Sequence, residues 1–338
     1  MSETADFTPA HWGGGGHDFR SAYRAYDAHA GRSYSAARSA NKKLADLLPK
    51  KLSTESTAPL VIVVDQTGSM GEWPKVMFSK LPYLELEGQE YLGKDMEISW
   101  CAIGDAHHSE DYPMQARPFT KGTNLKDRLM EIVIEGGGGG GGNETYELAA
   151  LYLANNVEMP NAIKPICLFI GDEKPYDTVA PDMARTYAYT TLEQHMTVQD
   201  IFALLKEKFS VYMIRKPYTN SGDGDTTSSF DREATAFWSE LLGADHVALL
   251  PNPERVVDVI FGILAKETGR VPYFREELEA RQLPDKGGAV KVATVYKSLK
   301  TVHASPSVDS TKEGRDGGKT RSKTRGLGGG KPTKPLMS

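Results

Sequence analysis

Leu60-Val61-Ile62-Val63-Val64-Asp65-Gln66-Thr67-Gly68-Ser69-Met70 changes character at Asp65. Up to that residue it is a short, mostly β-branched apolar run, which reads as a central parallel strand buried on both faces. Beyond it, Asp65, Thr67 and Ser69 alternate, and Gly68 lets the backbone fold tightly. One carboxylate and two hydroxyls can therefore converge at the end of a strand.

Working outward, similar runs recur as candidate strands: MEISWCAIGDA, AIKPICLFIGDE, FSVYMIRKPY and DHVALLP. Helix-like segments lie between most of them, namely GEWPKVMFSKLPYL, NLKDRLMEIVIE, TYELAALYLANNVE, VQDIFALLKEKF and EATAFWSELLG, followed by ERVVDVIFGILAKE with Gly269 as its C-terminal cap. Alternating strands and helices predict an α/β fold, a doubly wound and mostly parallel sheet with helices on both faces. The expected division is a Gly-rich disordered segment at 1–16, a helical N-terminal extension at 17–57 and the main domain at 58–269. A helical or extended addition at 270–302 and a disordered basic tail at 303–338 complete it. The extension rests on Phe19, Tyr23, Tyr26, Ala30, Tyr34 and Ala37, spaced by three or four residues and continuing loosely to Leu44 and Leu48, with Pro49 as a stop.

In an open α/β sheet, ligands bind outside the carboxyl ends of the strands. Three polar groups are expected there. Asp65, Thr67 and Ser69 form the first. Asp172, just past the run ending in Phe169-Ile170-Gly171, is the second. The third follows Gly136 to Gly142: Asn143-Glu144-Thr145-Tyr146-Glu147 opens a helical stretch. In the first group, Asp65, Thr67 and Ser69 are hard oxygen donors, which suit Mg²⁺ or Mn²⁺ far better than zinc. The glycine run has no Gly-Lys-Ser/Thr after it, so it does not read as a nucleotide P-loop. Gly104-Asp105-Ala106-His107-His108-Ser109-Glu110-Asp111 reads as a solvated hairpin rather than a transition-metal site, since neighbouring side chains diverge. Asp223-Gly224-Asp225 reads as a loop. There is no Gly-x-Ser-x-Gly elbow and no base obviously paired with Ser69, so the expectation is of a protein that is not an enzyme.

Asp65-Gln66-Thr67-Gly68-Ser69-Met70 resembles the Asp-x-Ser/Thr-x-Ser signature of the metal-ion-dependent adhesion site in von Willebrand factor A domains. The likeness spans roughly residues 58–268. It implies that Thr67 and Ser69 bind the metal directly while the acidic residues often act through water, and that Asp172 is the distant metal-associated Asp. It also implies a loop Thr followed five and six residues later by Ala and Leu, a spacing that Thr145 meets with Ala150 and Leu151. Thr145 is the first choice for the loop position, but Glu144 and Glu147 lie beside it and some family members use Glu there, so the position stays open among the three. The implied function is a cation-dependent adaptor or scaffold that captures an acidic residue of a protein partner, in some relatives an AAA-type ATPase.

Composition adds limits. The net charge of −5 is unevenly spread: residues 17–51 carry eight Lys/Arg against three Asp/Glu, and residues 311–338 carry eight against two. The body between them is strongly acidic, which disfavours nucleic acid, although the basic flanks offer a weak, salt-dependent phosphate contact. A nucleic-acid-associated protein is therefore the second reading, helped by Tyr23, Tyr26 and Tyr34 among arginines. Metal-assisted phosphoester hydrolysis is the third. No stretch is long and apolar enough for a membrane span, mean hydropathy is −0.43, and the opening residues lack a signal-peptide pattern. Cys101 and Cys167 each sit inside an apolar run, as buried free thiols in a reducing, cytoplasmic setting would.

Overall fold

The computed structural model describes residues 42–304 apart from 71, 72, 74–76, 78, 79, 82, 109, 123, 134–141 and 219–227. The aromatic stripe at 19–37, the Asp223-Gly224-Asp225 loop, most of the glycine run and the basic tail beyond residue 304 lie outside the described residues.

The run 60–65 is central, as its composition requires. It belongs to β1 (Ala58–Asp65), which is followed along the chain by β2 (Met96–Ile103), β3 (Met114–Ala116), β4 (Ile166–Gly171), β5 (Ser210–Arg215) and β6 (Val247–Leu249). These pair in the order β6-β5-β4-β1-β2-β3. Every neighbouring pair is parallel except β2 with β3. The order in which the chain adds strands therefore reverses between β1 and β4, where a doubly wound sheet opens its ligand crevice.

Alternation along β1 separates two apolar layers. Leu60, Ile62 and Val64 face one core with α1 (Tyr83–Leu92), α2 (Asn124–Met130) and α7 (Val256–Glu267). Val61 and Val63 face the other with α3 (Tyr146–Asn156), α4 (Pro181–Tyr187), α5 (Val198–Lys208) and α6 (Ser229–Leu242). All five side chains are buried, each contributing about 1.5–3 kcal/mol of apolar burial. Such a strand has no tolerant position along its length.

Cys101 on β2 stands opposite Val63, and Cys167 on β4 stands opposite Val61. Both thiols are buried, and burial pushes Cys101 up to about 12 and Cys167 well above the ordinary range.

The segment 270–302 forms two helices, α8 (Val271–Gln282) and α9 (Gly288–Ser298). Their Phe274, Leu278, Val292 and Val295 join the same core as α7, so this addition completes the domain. At Gly262 of α7 a Cβ would lie 2.1 Å from Leu299 Cδ1, so any larger residue there would have to displace that side chain. Asp258 of α7 ties two helices of this layer together, 3.0 Å from Arg255 Nη1 and 3.3 Å from Arg281 Nη2 of α8. No helix among the described residues is long and apolar enough to cross a membrane.

Local expectations fail in three places. Within 71–84 the described helical residues are Trp73, Met77, Lys80 and the first residues of α1, which then continues to Leu92 through the polar stretch Glu85 to Glu90. The helix read over 124–135 ends at Met130. Of the helical extension at 17–57, the described part carries a single turn at Leu44–Leu47 and a two-residue strand, Leu52–Ser53, paired with Val157–Glu158.

Candidate metal centre

The end of β1 and the end of β4 are adjacent, because Val64 pairs with Ile170. Asp65 and Asp172 thus leave the sheet side by side at the reversal point. After Asp65 the chain turns into a short 3-10 segment, Gly68–Met70. Asp65 Oδ1 shapes this turn by accepting from Thr67 N at 2.9 Å and Thr67 Oγ1 at 2.7 Å, a local side-chain-to-backbone arrangement. Thr67 Oγ1 lies 3.0 Å from Ser69 Oγ. Ser69 Oγ then donates to Asp172 Oδ1 at 3.0 Å. A continuous chain of oxygens runs from Asp65 to Asp172, its last link joining Ser69 to a residue 103 positions further along the sequence.

The remaining expected residues sit on the loop entering α3. Glu144 is fully buried, and neither carboxylate oxygen has a hydrogen-bond partner. Burial, and after it the charges of Asp65, Glu173, Asp105 and Glu110, push its carboxyl up to about 11. Thr145, also fully buried, donates its hydroxyl to the Gly104 carbonyl at 2.6 Å. Its lone pairs stay available, but its proton is committed to the backbone. Glu147 is turned elsewhere, accepting from Tyr176 N at 3.0 Å.

Carboxylates here crowd one another. Burial, then the Asp172 charge, raises Asp65 to about 7. Burial also raises Asp172, although Lys216 acts against it. An unpaired, buried carboxylate beside others is costly, and a divalent ion relieves that cost. No group of three or more His, Cys, Asp or Glu among the described residues is arranged to hold an ion by itself. A cation here would therefore need the hydroxyls of Thr67 and Ser69 together with the acids. With two hydroxyls 3.0 Å apart and an orphaned buried carboxylate, the donor set fits a small, hard divalent ion.

Three contributors escape sequence reasoning. Tyr146 donates to Asp65 Oδ2 at 2.6 Å; it stands at the start of α3, and no spacing marks it. Glu173 is buried, hydrogen-bonded through one oxygen to Tyr218 and unpartnered at the other. Lys216 follows β5 and lies 2.8 Å from Asp172 Oδ2. The rule that selects Asp65 and Asp172, the first polar residue past an apolar strand, would have found Lys216 too, once buried Arg215 is counted with the strand. Arg215 braces the site from below, reaching Asp172 O at 3.3 Å and Asp231 Oδ1 at 2.6 Å.

The stretch 104–111 is solvated only in part: His107, His108 and Asp111 are exposed, while its other two acids are not. Asp105 and Glu110 are buried, and Glu110 Oε2 accepts from Asp105 N at 2.7 Å. Asp105 also accepts from His107 N at 2.9 Å and from Tyr176 OH at 3.1 Å, and contacts His108 Nδ1. Its two carboxylates organise a turn that supports the loop of Thr145, whose backbone N–H donates to Gly104 O at 3.1 Å.

No protein-family model and no curated protein matches the sequence. Solved structures of similar shape include a pilus adhesin. This is SpaC from Lactobacillus rhamnosus GG, matched in one crystal form at TM-score 0.42 and 11% identity over 64% of this chain and 32% of that one. A second structure, its open conformation, gives TM-score 0.44 and 8% identity over 67% and 31%. The chain spans about a third of the length of these adhesin structures.

Proposed function

We propose that residues 58–269 form a von Willebrand factor A-type domain that works in the cytoplasm as a divalent-cation-dependent protein-binding module. Thr67 and Ser69 would hold Mg²⁺ or Mn²⁺ directly, Asp65 and Asp172 would balance its charge, and Glu144 would supply the acidic group from the loop, with Thr145 beside it. The bound cation supplies an electrophilic position that a Glu or Asp of a partner protein can complete, which makes recognition depend on cation concentration. Glu144 adds negative charge that tightens the cation while making the partner's acid less welcome.

The observation that carries this reading is the oxygen chain at the reversal point, above all the 3.0 Å contact between Ser69 Oγ and Asp172 Oδ1. A binding role is favoured over catalysis because the Ser69 hydroxyl points at a carboxylate that Lys216 already engages, not at a free base. An AAA-type ATPase remains a partner to test by name, by resemblance alone.

The test combines calorimetric titration with Mg²⁺ and capture of partners in Mg²⁺ or EDTA, using the wild type, Asp65→Ala and Ser69→Ala. Binding of Mg²⁺ and its loss in both variants, with capture that follows the metal, is expected. Mg²⁺ affinity or capture indifferent to both substitutions sinks the reading.

A further inference from the structure

The backbone N–H of Lys216 donates to Gly171 O at 2.7 Å, which registers this residue beside the end of β4. Its side chain, 13% exposed, folds back over the site. Nζ lies 2.8 Å from Asp172 Oδ2 and donates to Ser69 O at 2.9 Å. The ring of Tyr218 flanks the ammonium, 5.1 Å from Nζ to centroid. The ammonium group therefore rests on the same two residues that the metal reading assigns to the ion.

We propose that Lys216 is a tethered counter-cation that competes with the divalent ion for Asp172 and so sets the cation affinity of the site. The inference rests on the metal reading and deepens it. Asp172 has two oxygens with two different tasks: Oδ1 accepts from the Ser69 hydroxyl, and Oδ2 engages the ammonium. When a dication is drawn to the hydroxyls, the ammonium and the ion share one carboxylate within a mostly buried volume, where like charges repel far more strongly than in water. Lys216 thereby stabilises the metal-free arrangement and weakens the metal-bound one. A plain structural clamp, holding the 65–70 turn to β5, would act oppositely, because its loss would loosen the ligands and lower affinity.

That difference in sign is the test. The full chain would be titrated calorimetrically with MgCl2 as wild type, Lys216→Met and Lys216→Arg, with thermal melts in EDTA to verify folding and Lys216→Gln as a polar substitute should the methionine variant fail to fold. Lys216→Met should bind Mg²⁺ about tenfold or more tighter than the wild type, with a lower melting temperature in EDTA. Lys216→Arg should keep the wild-type affinity. Equal or weaker binding in the methionine and glutamine variants, while the wild type binds Mg²⁺, overturns the competition and leaves the metal site standing. Absence of Mg²⁺ binding in every variant, wild type included, overturns both. Binding in Lys216→Met alone would be the strongest support.

Discussion

Substituting Glu144 by Gln tests the buried acid on the loop entering α3. At pH 7.5 a carboxyl raised to about 11 is protonated, so the amide replaces one neutral group by another of the same shape. Without metal, stability should change by less than about 1 kcal/mol, as for other volume-conserving swaps. With metal the variants part. Stripping the proton from Glu144 at pH 7.5 costs about 5 kcal/mol, which only a nearby cation can offset, and metal binding to such a group releases the proton. The wild type should therefore release about one more proton per Mg²⁺ than Glu144→Gln. This is read from calorimetric heats in buffers of different ionisation enthalpy. Loss of that charge should weaken binding about tenfold or more, the equivalent of about 1.4 kcal/mol. At a Mg²⁺ concentration near 100 times the wild-type Kd, stabilisation should fall from about 2.7 to about 1.4 kcal/mol. For a domain of this size that roughly halves a shift of about 5–10 °C in Tm. Equal proton release and an equal Mg²⁺ shift in both proteins would refute the assignment. A large loss of metal-free Tm in the variant would instead make Glu144 a structural acid.

Two further outcomes follow from the same geometry. Asp65 rises from its ordinary 3.8 to about 7 through burial and then Asp172, so the folded state binds the extra proton. Its contribution to stability is complete below about pH 4 and lost as pH climbs through about 7. Metal-free protein should thus melt lower at pH 8 than at pH 5.5, while the Mg²⁺ increment grows over that interval; an increment flat with pH would contradict this. Asp231 does not interfere: burial would raise it, but hydrogen bonds from Tyr218 N, Arg215 and Ser228 hold it at about 2, so its effect appears only in stronger acid. At Gly171 a Cβ would sit 1.8 Å from Tyr146 Oη and 3.0 Å from Asp65 Cβ. Gly171→Ala should cost about 1–3 kcal/mol and weaken Mg²⁺ binding by displacing Tyr146 from Asp65. A melt and a titration indistinguishable from wild type would show that Tyr146 is not held there.

Much of the fold was legible because its central strands are buried on both faces and so read as unbroken apolar runs. β3 was not legible. It is three residues long with Gln115 at its middle. That side chain is buried only because its amide pairs with Val133, accepting from N at 2.9 Å and donating to O at 2.7 Å. α1 was missed for a related reason. Its sequence YLELEGQEYL carries charges and Gly88, and tertiary packing of Tyr83, Leu84 and Tyr91 overrides its weak intrinsic pattern. Asp65, Thr67, Ser69 and Asp172 were legible because two strand ends bring them together. The contribution of Tyr146 depends on how a helix is placed, which no local pattern encodes, whereas Lys216 stands one residue past β5 and the strand-end rule reaches it once buried Arg215 is counted with the strand. The 104–111 cluster misled in part because polar residues usually mark solvent, as His107, His108 and Asp111 do, whereas Asp105 and Glu110 satisfy a buried turn.

Cys101 and Cys167 flank β1 with their thiols sealed away. A maleimide or a bulky alkylating dye reaches neither sulfur until the sheet itself separates. Modification kinetics at the two positions would therefore time the rupture of the protein's centre, with no engineered label and without disturbing the carboxyl edge of the sheet. A dye-uptake rate that slows on adding Mg²⁺ would mean that closure of that edge is felt throughout the strands.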